Sequence, residues 1–181
     1  GKYAIFHRDG NRISKWYDEI EPHGLVRGTS KYFIARKNGK EAIFDESGRM
    51  ISPEWFDNVY RDGLIDGESP YYIARKNRKY AIFDVYGYQI SDWFDDILPN
   101  GLVRGESDDY YIAFDGKTFA VYYFKKKVSD DFPSDILHGS EILFEGKAIR
   151  IVRYDGTTET EIPLQTSPRE EFLDYTKLLN I

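Results

Sequence analysis

Cysteine is absent from all 181 residues, which excludes disulfides, thiol chemistry and cysteine-based zinc sites together. A cytoplasmic location is expected from that absence. Only three histidines occur, His7, His23 and His138, far apart and without HExxH spacing, so they are expected on the surface and not as ligands. Nowhere do roughly 18 apolar residues run together, so no membrane-spanning helix is expected. The opening Gly1-Lys2-Tyr3-Ala4-Ile5-Phe6-His7-Arg8-Asp9 likewise has no apolar run of signal-peptide length. P-loop, dinucleotide-binding and G-x-S-x-G signatures are lacking too. Acidic pairs exist at Asp95-Asp96, Asp108-Asp109 and Asp130-Asp131, and a hydrolase built on them is one reading. Adjacent residues on a strand point apart, however, and do not converge on one substrate. The chain therefore reads as a non-enzyme with no cofactor and no metal.

Positive charge is also in short supply: 25 basic residues stand against 31 acidic ones, a net charge of −6. An acidic surface repels the phosphate backbone, which argues against sequence-independent nucleic-acid binding and favours a basic protein partner. The basic run Lys125-Lys126-Lys127 is expected to keep an edge strand soluble.

Aromatic residues are plentiful, at 17% with 15 tyrosines and 12 phenylalanines, and they favour strands. Asn38-Gly39, between Ile34-Ala35-Arg36-Lys37 and Lys40-Glu41-Ala42-Ile43-Phe44, predicts a two-residue hairpin because both turn residues need φ > 0. Ala35 then faces Ala42, and Ile34 faces Ile43. The frame returns at Ala74 to Ala81, at Ala113 to Ala120 and more weakly at Val152 to Glu159, with starts at 35, 74, 113 and 152.

The expected fold is all-β: about four antiparallel hairpin repeats of about 39 residues, as an open superhelix or a small propeller-like array. The units run over 2–39, 40–78, 79–116 and 117–156, each with about four short strands, one of them at Gly24-Leu25-Val26-Arg27-Gly28 and its equivalents. Together with a closing strand over 157–162 they make one domain, 1–162. Ser167-Pro168-Arg169-Glu170 is a capping box, followed by Phe172, Tyr175 and Leu179 at helical spacing, so 163–181 is predicted to carry a short capping helix.

Ala4, Ile5, Phe6, Gly10, Ile13, Tyr17, Asp18, Ile20, Gly24 and Leu25, with their counterparts in the next two units, form a pattern that resembles the bacterial WG-type (KWG) β-repeat. The Trp-Gly pair itself is replaced by Tyr3-Ala4, Glu41-Ala42, Tyr80-Ala81 and Phe119-Ala120. The resemblance implies a β-repeat binding or scaffold role without a shared catalytic site.

Trp16, Trp55 and Trp93 recur at one repeat position and are expected to fill seams between units, with an aromatic ladder for a ligand as the alternative. Asp18, Asp57 and Asp95 follow them and are expected to accept backbone N–H bonds at turns. Tyr32, Tyr71 and Tyr110, with Arg36 and Arg75, are candidates for a repeating binding face, joined by Arg27 and Arg104 at a second repeat position. The function expected first is a non-catalytic module that binds a protein or peptide through this Tyr/Arg face, as a monomer or weak oligomer. An immunity-type inhibitor that neutralises a basic toxin or nuclease is the second reading.

Overall fold

The computed structural model describes residues 1–157 and 159–165. It is all-β, and its strands form four small antiparallel sheets, none closed into a barrel. The first sheet holds β1 (Glu19–Ile20), β2 (Tyr32–Lys37) and β3 (Lys40–Asp45); the second holds β4 (Asn58–Val59), β5 (Tyr71–Lys76) and β6 (Lys79–Asp84). The third is built from β7 (Asp96–Gly101), β8 (Tyr110–Phe114), β9 (Phe119–Tyr123) and β10 (Lys126–Lys127), with β10 at its edge. A 3-10 turn at Ser134–Leu137 leads into the fourth, β11 (Ser140–Glu145), β12 (Ala148–Arg153) and β13 (Glu159–Pro163).

Turn chemistry fixes the central hairpins. Asn38 and Gly39 adopt φ of 53° and 74°, and β2 pairs with β3 so that Ala35 faces Ala42 and Ile34 faces Ile43. Asn77 and Arg78 take φ of 51° and 63° at the same place in the second sheet, where Ala74 faces Ala81. In the third, Ala113 faces Ala120. Each of these sheets draws one strand of its hairpin from one expected unit and the other from the next, so unit boundaries placed at the turns run through the middle of the sheets.

The sheets are joined by chain segments that edge two of them in turn. Met50 and Phe56 bridge to Phe44 and Glu41 along the edge of β3 that faces away from β2. One residue later Asp57 donates its N–H to Arg75 O at 2.9 Å, and β4 pairs with β5. Gln89 and Phe94 do the same for β6 before the chain passes into β7. A serine secures each edge: Ser14, Ser52, Ser91 and Ser129 are buried, and their Oγ atoms accept the N–H of Ile5, Ile43, Ile82 and Val121 at 2.8 to 3.1 Å.

Because strand residues alternate faces, each of the first three hairpins feeds two cores. Ile34 and Ile43 turn toward the second sheet and pack with Phe56, Val59, Leu64, Ile65 and Tyr72. Ile73 and Ile82 turn toward the third and pack with Ile97, Leu102 and Val103. Ile112 and Val121 meet Ile149 and Ile151 of the fourth. Full burial of such side chains contributes about 1.5 to 3 kcal/mol each.

One expectation is corrected. Gly24-Leu25-Val26-Arg27-Gly28 is a turn and not a strand: Thr29 donates its N–H to Gly24 O at 3.0 Å, and Gly24 and Gly28 adopt positive φ. The equivalents behave alike, with Glu68 N–H on Gly63 O and Glu106 N–H on Gly101 O. Their apolar residues are buried by the neighbouring sheet, as at Leu64 and Ile65, and so need no strand of their own. The closing strand is Glu159–Pro163, paired with β12. The helical pattern Ser167 to Leu179 lies outside the described residues.

Candidate functional site

The Tyr/Arg residues do not share one surface. Tyr32, Tyr71 and Tyr110 are half-buried and pack into three successive seams, between the first and second, second and third, and third and fourth sheets. Arg36 is held by two carboxylates: its Nε donates to Glu41 Oε1 at 3.1 Å and its Nη1 to Glu19 Oε2 at 2.6 Å. The bond and charge of Glu41 raise the guanidinium's pKa further above its ordinary value. Arg75 faces Tyr80 and Asn58 instead, and its Nε is buried with no hydrogen-bond partner among the described residues. In the third sheet the same positions are Phe114 and Phe119, whose rings lie 4.9 Å apart. Arg27 and Arg104 stand exposed on turns; Arg27 Nη1 lies 3.2 Å from His23 Nε2, and Arg104 donates from Nε and Nη2 to Asp62 Oδ1 at 3.1 and 2.9 Å.

The repeated aspartates secure hairpin turns. Asp18 Oδ2 and Asp57 Oδ2 accept the N–H of Asn38 and Asn77, each at 2.7 Å, while their Oδ1 atoms take Lys2 and Lys40. Those lysine bonds, then the backbone bonds, hold both carboxyls below their ordinary range. Trp55 packs on Tyr17 and Phe44, and Trp93 on Phe56 and Phe83, so these two tryptophans fill seams. Among the described residues Trp16 has only Phe6 as a ring neighbour, at 6.2 Å; it lies beneath the Arg12 guanidinium and is 51% exposed.

Trp16 belongs to a face that the sequence did not single out. Lys2 pairs with Asp18 as Lys40 pairs with Asp57 and Lys79 with Asp95, which aligns Lys2-Tyr3-Ala4-Ile5-Phe6-His7 with β3 and β6. The inner edge of this segment is satisfied as it is in β3: Tyr3 and Tyr17 exchange N–H···O bonds of 2.8 Å, and Ile13 donates to Ile5 O at 2.8 Å. At the outer edge, where β2 lies on β3, no backbone hydrogen bond among the described residues reaches the N–H or C=O of Ala4 or Phe6.

The side chains around that edge are correspondingly bare. Phe6 is 52% exposed against 5% for its equivalent Phe44, and Val26 is 53% exposed against 0% for Ile65 and Val103. Tyr3, Ile5, Phe6, Ile20, Leu25 and Val26 line a groove of about 530 Å³. Backbone packing tells the same story. A Cβ at Gly67 would stand 2.3 Å from Thr29 O in the preceding loop, whereas one at the equivalent Gly28 would meet nothing within 4 Å.

Among the described residues no group of three or more His, Asp or Glu side chains is placed to hold a metal ion, and no helix is long and apolar enough to cross a membrane. No protein-family model and no curated protein matches this chain.

Proposed function

We propose that this protein is a non-catalytic interaction module whose partner, a protein or peptide, sits on the face made by Tyr3, Phe6, Trp16 and Val26. The observation that carries the reading is the concentration of large apolar side chains, each more than half exposed, around one groove. Scattered exposed apolar residues are ordinary, but a contiguous set with a concave centre marks a binding surface. Tyrosine and tryptophan are also the residues that most often anchor interfaces. The resemblance to WG-type repeats, and a reading of the four sheets as successive units of one open array, agree with a binding role. Tyr32, Arg36, Tyr71, Arg75 and Tyr110 serve in this reading as seam residues that hold the units together.

The test compares tagged wild-type protein with the double variant Phe6→Asp, Val26→Asp in retaining partners from a lysate of the source cell. Both side chains are solvent-facing, so the variant is expected to keep its melting temperature while losing the partner. Retention of the wild-type protein's partner should survive roughly 0.5 M salt, because apolar burial is not screened. Equal retention by the folded variant would overturn the proposal.

A further inference from the structure

The turns that follow β3 and β6 share a backbone and differ in their side chains. After β3, Asp45 Oδ1 accepts the N–H of Ser47 and of Arg49, each at 3.0 Å, and Gly48 takes φ of 81°. After β6, Asp84 Oδ1 accepts the N–H of Tyr86 and of Tyr88, each at 2.9 Å, and Gly87 takes φ of 82°. The side chains of Ser47 and Arg49 bond the Asp45 carboxylate at 2.6 and 3.0 Å, whereas Tyr86 and Tyr88 stand 80% and 70% exposed. One position further on, Met50 packs against the core that holds Phe44, but its counterpart Gln89 bends its amide to Ser91 O at 2.7 Å. A third departure lies opposite. Pro53-Glu54 puts two residues between Ser52 and Trp55, where one residue separates Ser14 from Trp16 and Ser91 from Trp93. Glu54 thereby reaches Lys76, whose Nζ donates to its two oxygens at 2.8 and 2.6 Å, and Pro53 lies beside Gly87. These departures from the repeat meet at one cavity of about 490 Å³. Phe83 and Trp93, with ring centroids 6.0 Å apart, line it together with Glu54, Lys76, Asn77 and Gln89.

The chemistry of the cavity selects among ligands. An extended peptide gains affinity from a free backbone edge, and β6 offers none here. β5 pairs along one of its sides, and the other is closed by Asp84 N–H on Tyr88 O at 3.0 Å and Ile90 N–H on Ile82 O at 2.8 Å. A simple anion would meet lysines already matched, Lys76 with Glu54 and Lys79 with Asp95. A sugar ring fits both halves of the lining: its C–H face lies on an aromatic ring, and its hydroxyls donate to and accept from the amides, carboxylate and ammonium around the rim. We propose that this cavity is a carbohydrate site that takes a gluco-configured oligosaccharide, with one ring over Trp93 and the next toward Tyr86 and Tyr88. Equatorial substituents leave both faces of such a ring apolar and point its hydroxyls outward to the rim. The site is separate from the face of Phe6 and Val26 and does not depend on it.

The probes are cellotetraose, chitotetraose and maltotetraose, titrated into the isotope-labelled full chain while the indole N–H resonances of Trp16, Trp55 and Trp93 are followed. At least one tetraose is expected to shift the Trp93 resonance saturably and leave that of Trp16 in place. Gln89→Met restores the repeat residue found at Met50 and fills the cavity, and it should weaken binding by about tenfold or more with the melting temperature kept. Tyr86→Ser with Tyr88→Arg restores the residues found at Ser47 and Arg49, and the loss of the aromatic contacts should weaken binding by about tenfold. The absence of a saturable Trp93 shift with all three sugars at about 10 mM, weaker than any specific recognition needs, overturns the proposal. So does a shift that both folded variants leave unchanged. If Gln89→Met loses a protein partner while no sugar binds, the cavity takes a protein and the proposal falls. Phe6→Asp, Val26→Asp should bind the sugar as the wild type does, so the failure of either reading is seen without the other.

Discussion

The side chain of Glu41, on β3, accepts the backbone N–H of Val59, on β4, at 2.7 Å. A carboxylate of the first sheet thereby closes the edge of the second. The same carboxylate takes Asn58 Nδ2 at 3.1 Å and two donors of Arg36, and its residue is buried. Removing it takes the acceptor from Val59 N–H and leaves Arg36 bonded to Glu19. Glu41→Ala is expected to cost about 2 to 3 kcal/mol. Glu41→Gln, which keeps one acceptor oxygen, should cost about half as much. Urea unfolding of the two variants checks this, and equal losses would show that shape and not hydrogen bonding holds the seam.

Phe33, Tyr72 and Tyr111 occupy one position in three sheets, and the hydroxyls of the two tyrosines make opposite predictions. The Tyr72 hydroxyl is buried with no hydrogen-bond partner among the described residues, whereas Tyr111 donates to Phe124 O. An unmade bond costs desolvation without return. Tyr72→Phe is therefore expected to raise stability by about 1 kcal/mol, and Tyr111→Phe to lower it by a similar amount. Denaturant midpoints at constant m would show the two shifts with opposite sign.

Stability should fall at both ends of the pH scale, for different groups. Bonds from Lys2 and Asn38, and from Lys40 and Asn77, depress the pKa values of Asp18 and Asp57. A depressed carboxyl stabilises the fold above its ordinary range, and that contribution is lost as pH falls from about 4 through the folded value. Burial, with the neighbouring Tyr80 hydroxyl, pushes Tyr60 up to about 12, and burial raises Tyr72 and Tyr111 as well. A raised phenol stabilises the fold fully below about pH 10 and loses that contribution as pH rises through the folded value. Unfolding midpoints from about pH 2 to about pH 12 should trace both limbs. Asp18→Asn with Asp57→Asn should flatten the acid limb and leave the alkaline one unchanged.

Local chemistry made part of this architecture legible. Asn38-Gly39 dictates its own turn, and a two-residue turn fixes the pairing of Ala35 with Ala42 without any knowledge of the rest. What depends on neighbours was not legible. Strand alternation separates Tyr32 and Arg36 from Phe33 and Ala35, but it does not say that the second sheet covers the tyrosine. Leu25-Val26 between glycines has the composition of a strand, yet the Gly24 to Thr29 bond curls it into a turn. The recurring Ile-Ser pairs persist to Val128-Ser129, where the tryptophan is already lost, and that persistence was the available signal for the buried serines. The open groove stayed hidden because units cut at Asn38-Gly39 separate β3 from β2. Only the observed pairing shows that the segment at Ala4 and Phe6 is paired along one edge, with no backbone hydrogen bond among the described residues along the other.

The three tryptophans test that last point directly. Trp93 is half-buried between Phe56 and Phe83, so Trp93→Ala opens a cavity in the seam and is expected to cost about 3 kcal/mol. Trp16 holds the same repeat position but touches one ring and faces solvent, so Trp16→Ala should cost less than about 1 kcal/mol. Its effect should appear instead in binding, because the exposed indole beside Phe6 is part of the face proposed for the partner. Thermal melts and partner retention measured on both variants separate the cases. A loss of stability at Trp16 equal to that at Trp93, with partner retention untouched, would mean that the first tryptophan is packing like the others and that the exposed face is not the one that binds.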